Sequence, residues 1–287
     1  MQKIKGTLIP IGGNEDKGIE TNEMYTLEFI GEGILSHVVR EAGGTSANIV
    51  IVPTASSIPD EVSENYLSAF TTLGCKNVKV LDIRTREDAE QPEAVELIRK
   101  ANCVMFSGGD QSKITSRMGG TELHDILLDR YRHEEGFVIA GTSAGAMAMA
   151  EEMIAGGSAA ESFIKGAVIM QKGLGLIPEL IIDTHFIRRG RFGRQSEAVA
   201  KFPKLLGFGL AEDTGVIIRK GTDCTVIGSG MVIVFDGSTL THNNEAVLHD
   251  GTPMTMANLT IHVLSNGDQF SIPDRKVKVL PIGQPFI

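Results

Sequence analysis

The segment GTSAG at positions 141–145 places one reactive hydroxyl, that of Ser143, among small residues. G-x-S-x-G is the pattern of a serine nucleophile on a sharp turn between a strand and a helix. An apolar run at 137–140 precedes the segment, and helix-forming residues at 146–150 follow it. Both flanks therefore favour such a turn, in which glycines leave room for a strained backbone. The same residues could form a plain tight turn, so catalysis requires partners for the hydroxyl.

Acyl transfer by Ser143 needs hydrogen-bond donors for the negative charge that develops on the substrate oxygen. The backbone N–H of Ala144 is one candidate, because a helix that begins there directs its positive end at the site. The glycine-rich segment FSGGDQ, which follows another predicted strand, offers a second donor at Gly108 or Gly109. We predict an oxyanion hole built from Gly109 and Ala144.

His185 is the best candidate for the base among seven histidines. It follows the apolar run 180–182, and a histidine at one strand end can reach a serine at another. A structural histidine beside Asp183 is the alternative. Three others precede the serine on predicted helices: His37, His124 and His133. The last three histidines of the chain are His242, His249 and His262. One of them would act as base only in an α/β-hydrolase, in which the serine, the acid and the histidine follow each other in that order along the chain.

Three carboxylates are candidates to orient the imidazole of His185. Glu212 and Asp213 follow each other in the strand-like segment GFGLAED, so their side chains should point to opposite faces. Asp183 lies two residues before the histidine. Spacing alone leaves this choice open.

Four arginines occur in a short run after the candidate base: Arg188, Arg189, Arg191 and Arg194. Guanidinium groups bind carboxylates in a bidentate manner, so the run could hold an acidic substrate. A solvated basic face and ion pairs with local acids are the alternatives.

Alternating strands and helices are predicted for the first two thirds of the chain. The predicted strands are Thr7–Ile11, Asn48–Val52, Val78–Ile83, Cys103–Phe106 and Phe137–Gly141. The predicted helices are Glu23–Ala42, Pro59–Leu73, Pro92–Lys100 and Thr121–His133. The strands are apolar throughout, which is typical of a parallel sheet covered by helices on both faces.

After residue 205, short strands separated by Gly, Asp and Asn turns indicate antiparallel hairpins. We therefore predict a doubly wound α/β fold in one domain over 1–287, with a core of about 1–220 and a β-rich extension over about 221–287. The strand ends IGGNED, PTASS, SGGDQ and GTSAG should meet at one edge of the sheet, where parallel sheets bind ligands.

Bulk composition excludes several classes of function. A net charge of −9 and a pI near 5.3 argue against a nucleic-acid partner, because phosphate binding needs clustered Lys and Arg. No signal peptide is evident, and no apolar run approaches the ~18 residues of a membrane span. Cys75, Cys103 and Cys224 have no metal-binding spacing and are predicted to be buried thiols. A cytoplasmic protein is expected.

Taken together, these segments resemble the cyanophycinase family. The resemblance is carried by IPIGGNED, VPTAS, FSGGDQ, GTSAGA and DTHFIRRGRFGR followed by GLAED, and it covers most of residues 7 to about 220. The family comprises serine peptidases related to peptidase E, with a glutamine-amidotransferase-like flavodoxin core. Its substrate, cyanophycin, has a poly-aspartate backbone with an arginine on each side-chain carboxyl, and its product is the β-aspartyl-arginine dipeptide.

The resemblance also assigns roles to individual residues. It implies that Ser143 is the nucleophile, His185 the base and Glu212 the acid, in preference to Asp213. It implies substrate contacts for Gln111, Asp183, Arg189, Arg191 and Arg194, and it gives Arg188 no role. It further implies a serine-type exopeptidase that needs no metal or organic cofactor and forms a homodimer.

Two further residues bear on specificity. The family commonly has Gln where this chain has Thr184, so a β-aspartyl peptidase of different specificity is an alternative. Glu161, in the segment AGGSAAES, is a candidate ligand for a substrate guanidinium group. The alternative outside enzymes is a non-catalytic binding module with a flavodoxin-like core.

Overall fold

The structure is a computed structural model that describes residues 4–19, 23–157 and 163–287. The helices among these residues are α1 (Ile34–Glu41), α2 (Pro59–Thr72), α3 (Pro92–Lys100), α4 (Gln111–Met118), α5 (Glu122–His133), α6 (Ala144–Met147) and α7 (Phe192–Lys201). The strands are β1 (Thr7–Ile11), β2 (Asn48–Val52), β3 (Asn77–Val80), β4 (Cys103–Phe106), β5 (Val138–Thr142), β6 (Glu152–Gly157), β7 (Val168–Lys172), β8 (Leu180–Asp183), β9 (Leu206–Leu210), β10 (Thr214–Arg219), β11 (Asp223–Gly228), β12 (Val232–Asp236), β13 (His242–Asn243), β14 (Met256–Ala257), β15 (Thr260–Leu264), β16 (Gln269–Ser271) and β17 (Lys276–Lys278).

Five strands form the parallel half of a nine-stranded sheet, in the order β1-β5-β4-β2-β3. Alternate residues of each strand pack into two separate apolar cores. Ile49 and Ile51 of β2 pack with residues of α1 and α2, whereas Val50 and Val52 pack with residues of α3, α4 and α5. Helices therefore cover both faces, and the predicted doubly wound α/β fold is confirmed.

The C-terminal part contributes antiparallel strands, as predicted, but to two different sheets. Strands β10, β11, β16 and β17 extend the nine-stranded sheet beyond β1, all by antiparallel pairing. Strands β8, β9, β12 and β15 form a separate four-stranded sheet, in which only β8 and β9 run parallel. Because the last strands complete the sheet begun by β1, they support the proposal of one domain.

Most predicted elements have the expected bounds, but the helix predicted over Glu23–Ala42 is wrong in its first half. Helix α1 begins only at Ile34. The preceding segment instead closes a turn, in which the N–H groups of Glu32 and Gly33 donate to the carbonyl of Glu28. Of the apolar residues in this segment, Phe29 packs against the core, whereas Ile30 is 63% exposed.

The helix after Ser143 is also shorter than predicted, since α6 ends at Met147. Three carbonyls that could continue the helix accept hydrogen bonds from another segment. The N–H of Leu174 donates to Ala148, that of Leu176 to Met149 and that of Gly175 to Ala150. Tertiary pairing thus outweighs the helix propensity of this alanine-rich sequence.

The three cysteines are free and buried, as predicted. No helix in the described part of the chain is long and apolar enough to cross a membrane.

Candidate active site

The ends of β1, β4 and β5 meet around a cavity of about 350 Å³, which opens beside Ser143. Because these strands are parallel neighbours in the sheet, their carboxyl ends share one edge. The residues that line the cavity are Gly13, Asn14, Glu15, Lys17, Val62, Asn65, Tyr66, Gly108, Gly109, Thr142, Ser143, His185 and Arg189. The predicted convergence of polar strand ends therefore produces a site.

Ser143 has φ 49° and ψ −107°, a backbone conformation that side-chain-bearing residues rarely adopt. The turn leaves no space on either side of the serine. A Cβ atom on Gly141 would lie 2.7 Å from the backbone of Gly145, and one on Gly145 would lie 2.7 Å from the Phe106 carbonyl oxygen. The two glycines of the pattern are thus required by close backbone approach, and the strained turn presents the Ser143 hydroxyl to the cavity.

His185 Nε2 lies 3.1 Å from Ser143 Oγ, and His185 Nδ1 lies 2.8 Å from Glu212 Oε1. The pairing of β8 with β9 explains this arrangement. These strands are parallel, and His185 and Glu212 each follow the last strand residue by two positions. With Nδ1 donating to the carboxylate, Nε2 is left to accept the serine proton.

Glu212, and not its neighbour Asp213, contacts the imidazole of His185. The second carboxylate oxygen of Glu212 accepts from Arg188 Nη1 at 3.0 Å, which agrees with the ion-pair alternative for this arginine. Burial raises the pKa of Glu212, but hydrogen bonds from His185, Arg188 and Asn14 outweigh it and leave the pKa lowered. Glu212 is thus held as a carboxylate that can stabilise a charged imidazole.

Glu212 and Asp213 lie in a turn between β9 and β10, where Asp213 has φ 46°, so the strand alternation expected for this pair does not apply. The Asp213 side chain has partners other than His185. Its oxygens accept from the Asp16 N–H at 3.0 Å and from Ser229 Oγ at 2.6 Å. Burial raises the pKa of Asp213 to about 6.

His185 has a lowered pKa, chiefly because burial opposes its charging. Glu212 raises the pKa, whereas the nearby cations Arg189 and Arg191 lower it further. Only a neutral imidazole can accept a proton, so activity should rise with pH as His185 deprotonates. We expect the acidic limb of kcat/KM to have its midpoint below the ordinary histidine value of about 6.5.

The Arg189→Gln variant should shift that midpoint upward, since a lost cation favours the charged imidazole. Rates measured from about pH 4 to pH 9 test this, provided substrate binding is followed separately. Arg219→Gln is the matched control, because Arg219 lies at the opposite end of the strand paired with β1 and bonds to Glu41. A midpoint above 6.5, or equal shifts in both variants, would contradict this account of His185.

The predicted oxyanion donors lie beside the serine. Gly108 and Gly109 line the cavity, and a Cβ atom on Gly108 would lie 3.5 Å from that of Ser143. Ala144 directly follows the serine as the first residue of α6. A helix of four residues has a small dipole, so stabilisation of an oxyanion would come from the amide groups themselves.

Three residues predicted to contact the substrate or to set its specificity are instead buried. Asp183 and Thr184 have no exposed surface, and Arg194 is 6% exposed. Arg194 binds Asp183 in a bidentate manner at 2.5 and 2.8 Å, and Arg191 binds the same carboxylate at 3.0 Å. The Thr184 hydroxyl contacts Met147 Sδ at 3.4 Å.

Direct substrate binding was predicted for four residues that do not line the cavity: Asp183, Thr184, Arg191 and Arg194. A buried carboxylate requires compensating charge, and two guanidinium groups supply it. The arginine run is thus divided. Arg191 and Arg194 hold the segment after β8 in place, and Arg189 reaches the cavity.

Of the last two predicted substrate ligands, only Gln111 lies among the described residues. Gln111, at the start of α4, donates from Nε2 to the carbonyls of Ile154 at 2.8 Å and Ala155 at 3.2 Å. It thereby attaches β6 to α4. Glu161 lies outside the described residues.

The sequence prediction missed the residues that the loop after β1 contributes to the cavity: Gly13, Asn14, Glu15 and Lys17. Gly13 has φ 106°, and a Cβ atom there would lie 2.4 Å from the His185 ring. The segment IGGNED was noted as a polar strand end, but nothing in it indicated which side chains turn inward. Tyr66 and Asn65, from the middle of α2, carried no signal at all.

No group of three or more His, Cys, Asp or Glu side chains in the described ranges is arranged to hold a metal ion.

Comparison with known proteins places these residues in a family context. The family described as Peptidase family S51 matches residues 30–226, which include Ser143, His185 and Glu212. The chain is 36% identical over 270 residues to a cyanophycinase of Geminocystis herdmanii (strain PCC 6308), covering 94% of this chain and 95% of the relative. It is 37% identical over 276 residues to a cyanophycinase of Nostoc sp. (strain PCC 7120), covering 96% of this chain and 89% of the relative.

A solved structure of a peptidase from an acI-B1 Actinobacterium superposes with a TM-score of 0.65 at 21% identity. The alignment covers 94% of this chain and 98% of the other. At this level of identity the likeness supports the shared fold.

Proposed function

The chain belongs to peptidase family S51, and on this premise we propose that it is a serine exopeptidase that hydrolyses cyanophycin to β-aspartyl-arginine dipeptides. The observation that carries the proposal is the Ser143–His185–Glu212 chain of contacts, at 3.1 and 2.8 Å, beside a cavity. The cyanophycinases of Geminocystis herdmanii and Nostoc sp. support the choice of substrate, because they align with nearly the whole chain.

In the proposed mechanism, Ser143 Oγ attacks the carbonyl carbon of an aspartyl unit of the backbone. His185 Nε2 accepts the serine proton, and Glu212 stabilises the resulting imidazolium. The N–H groups of Gly109 and Ala144 hold the oxyanion. When the C–N bond breaks, His185 donates its proton to the leaving amine, and an ester on Ser143 remains.

Water then completes the reaction. The water oxygen attacks the ester carbonyl while His185 accepts a proton from the water. His185 then returns this proton to Ser143 Oγ as the ester bond breaks. The acyl product leaves as a carboxylic acid, and the enzyme is regenerated. Every proton in the cycle passes through the imidazole, so no metal or organic cofactor enters the proposal.

The charges of the cavity fit the carboxylates of the proposed substrate. Arg189 lines the cavity and can bind a carboxylate, whereas Lys17 is already paired with Glu15 at 3.0 Å. The Asp183 carboxylate is not a candidate for the substrate guanidinium, because Arg191 and Arg194 already occupy it.

The proposal also includes a homodimer and a cytoplasmic location. The family resemblance supports the dimer. The three buried free thiols fit a reducing compartment.

Two alternatives that the sequence left open have less support from the geometry. An α/β-hydrolase would use His242, His249 or His262 as base, but His185 occupies that position. A non-catalytic module has no need for a histidine in contact with both a serine and a carboxylate. A β-aspartyl peptidase of other specificity has the same triad, so substrate tests must separate it.

The deciding experiment incubates purified protein with insoluble cyanophycin, β-aspartyl dipeptides and ordinary α-peptides in parallel. We expect the polymer to clear, with β-aspartyl-arginine detected by mass spectrometry from the first time points. Residual polymer should shorten slowly if cleavage is from the ends. Hydrolysis of the β-aspartyl dipeptides with intact polymer would instead establish the alternative specificity.

A further inference from the structure

A buried acidic residue, Glu15, lies at the cavity and has no part in the mechanism above. It is 1% exposed. Its carboxylate accepts hydrogen bonds of 2.5 Å from Tyr66 Oη and from Thr142 Oγ1, and Lys17 Nζ lies 3.0 Å away. Burial raises the pKa of Glu15, but Lys17 and the two hydroxyls outweigh it and leave the pKa lowered. Glu15 is therefore a buried carboxylate whose charge is compensated from three directions.

The segment from Ile11 to Gly13, which leads to Glu15, accepts hydrogen bonds from two members of the triad and from the neighbour of the third. The N–H of Ser143 donates to Ile11 at 2.9 Å, and that of His185 donates to Gly12 at 2.8 Å. The N–H of Asp213, the residue after Glu212, donates to Gly13 at 2.9 Å. Three consecutive carbonyls thus connect β5, β8 and β9, which belong to two different sheets.

Thr142 connects this loop to the strained turn. It directly precedes Ser143, whose φ of 49° is a strained conformation that persists only where the surrounding structure holds it. The backbone of the turn is held by the Ser143 N–H to Ile11 and by the Met147 N–H to the Ser143 carbonyl. The 2.5 Å bond from Thr142 Oγ1 to Glu15 is the side-chain contact that fixes the residue before the nucleophile.

We propose that Glu15 is a positioning residue for Ser143, acting through the Thr142 hydroxyl to hold the nucleophile in line with His185. The inference relies on the proposed function only in taking Ser143 as the nucleophile. Lys17 compensates the Glu15 charge, and Tyr66 fixes its second oxygen. Without the Thr142 contact, the turn samples conformations in which Ser143 Oγ is no longer 3.1 Å from His185 Nε2. Misplacements of about 1 Å lower rates by as much as 10²-fold.

The test uses Thr142→Val, which removes the hydroxyl while nearly conserving shape, and Thr142→Ser, which restores it. Thr54→Val is the matched control. Thr54 lies two residues past the end of β2 in the same sheet and is fully buried, but its Oγ1 has no hydrogen-bond partner among the described residues. The probe is a fluorescent phosphonate that labels the serine nucleophile, and kcat and KM on cyanophycin are measured per labelled site.

We expect Thr142→Val to lower the labelling rate constant and kcat by about tenfold or more, with KM within about twofold. Thr142→Ser and Thr54→Val should stay within about twofold of wild type, and Glu15→Gln should resemble Thr142→Val. A wild-type labelling rate in Thr142→Val overturns the proposal. A lower melting temperature or a smaller labelled fraction in this variant, with kcat per labelled site unchanged, also overturns it. The comparison of Thr142→Val with Thr142→Ser tests the proposal even if Glu15→Gln fails to fold. Because the phosphonate labels the serine directly, the labelling rate tests it even if cyanophycin is not the substrate.

Discussion

Ser143→Ala is expected to lower kcat by about 10⁶-fold while the protein stays folded, since no other step replaces the covalent intermediate. The hydroxyl makes one contact that the variant loses, the 3.1 Å bond to His185 Nε2. Alanine keeps the Cβ atom that borders Gly108. The change in melting temperature should therefore be small. Dipeptide release from cyanophycin and a thermal melt of the same preparation measure both quantities.

Ser196→Ala is the matched control for this variant. Ser196 is a buried serine in α7, and its hydroxyl donates to the Phe192 carbonyl one turn earlier. Loss of the Ser196 hydroxyl should leave kcat within about twofold of wild type, since this hydroxyl does not contact the reacting atoms. Hydrolysis by Ser143→Ala at more than about one hundredth of the wild-type rate would reject Ser143 as the nucleophile.

Glu212→Gln is expected to give the second-largest effect, a loss of about 10³- to 10⁴-fold in kcat. The glutamine amide can hold the imidazole in the wrong tautomer and cannot compensate its positive charge. KM should change little, because Glu212 does not line the cavity. The loss of the contact with Arg188 should affect stability only slightly, because the arginine side chain is 66% exposed.

Asp213→Asn is the matched control, with the same loss of charge one residue later. Its amide can still accept from the Asp16 N–H and donate to Ser229 Oγ. We expect kcat to stay within about threefold of wild type, since the side chain does not contact His185. If Asp213→Asn lost as much activity as Glu212→Gln, the assignment of Glu212 as the acid would be rejected.

The parallel core was predictable because its signals are local. Strands β2 and β4 and helix α3 have the predicted bounds, since apolar runs and flanking prolines or glycines mark their ends. Ser143 lies where its flanking strand and glycines place it. His185 was identified because it follows an apolar strand, and parallel strands end at a common edge.

Two helices differ from prediction for different reasons. Helix α6 stops at Met147 because the segment around Leu174 takes its next carbonyls. This partner is distant in sequence, so periodicity could not reveal the competition. Helix α1 starts late because a local turn at Glu28 replaces its first half.

The arginine run shows the same limit at the site. Its composition is compatible with substrate binding, a solvated face or ion pairs. The structure divides these roles, because Arg189 lines the cavity while Arg191 and Arg194 compensate Asp183. Which guanidinium groups are buried depends on how α7 packs against β9, a property of the assembled fold.

By itself, the sequence determined the doubly wound core, the strained serine turn and the histidine that could serve it, because strand ends and small residues are local features. Only the tertiary structure decided that Glu212 and not Asp213 faces the imidazole. It also decided that Asp183 is covered by arginines, and that Glu15 lies under Thr142. The reason is physical: a charged side chain acquires its role from the partners that compensate its burial, and those partners come from distant segments of the chain.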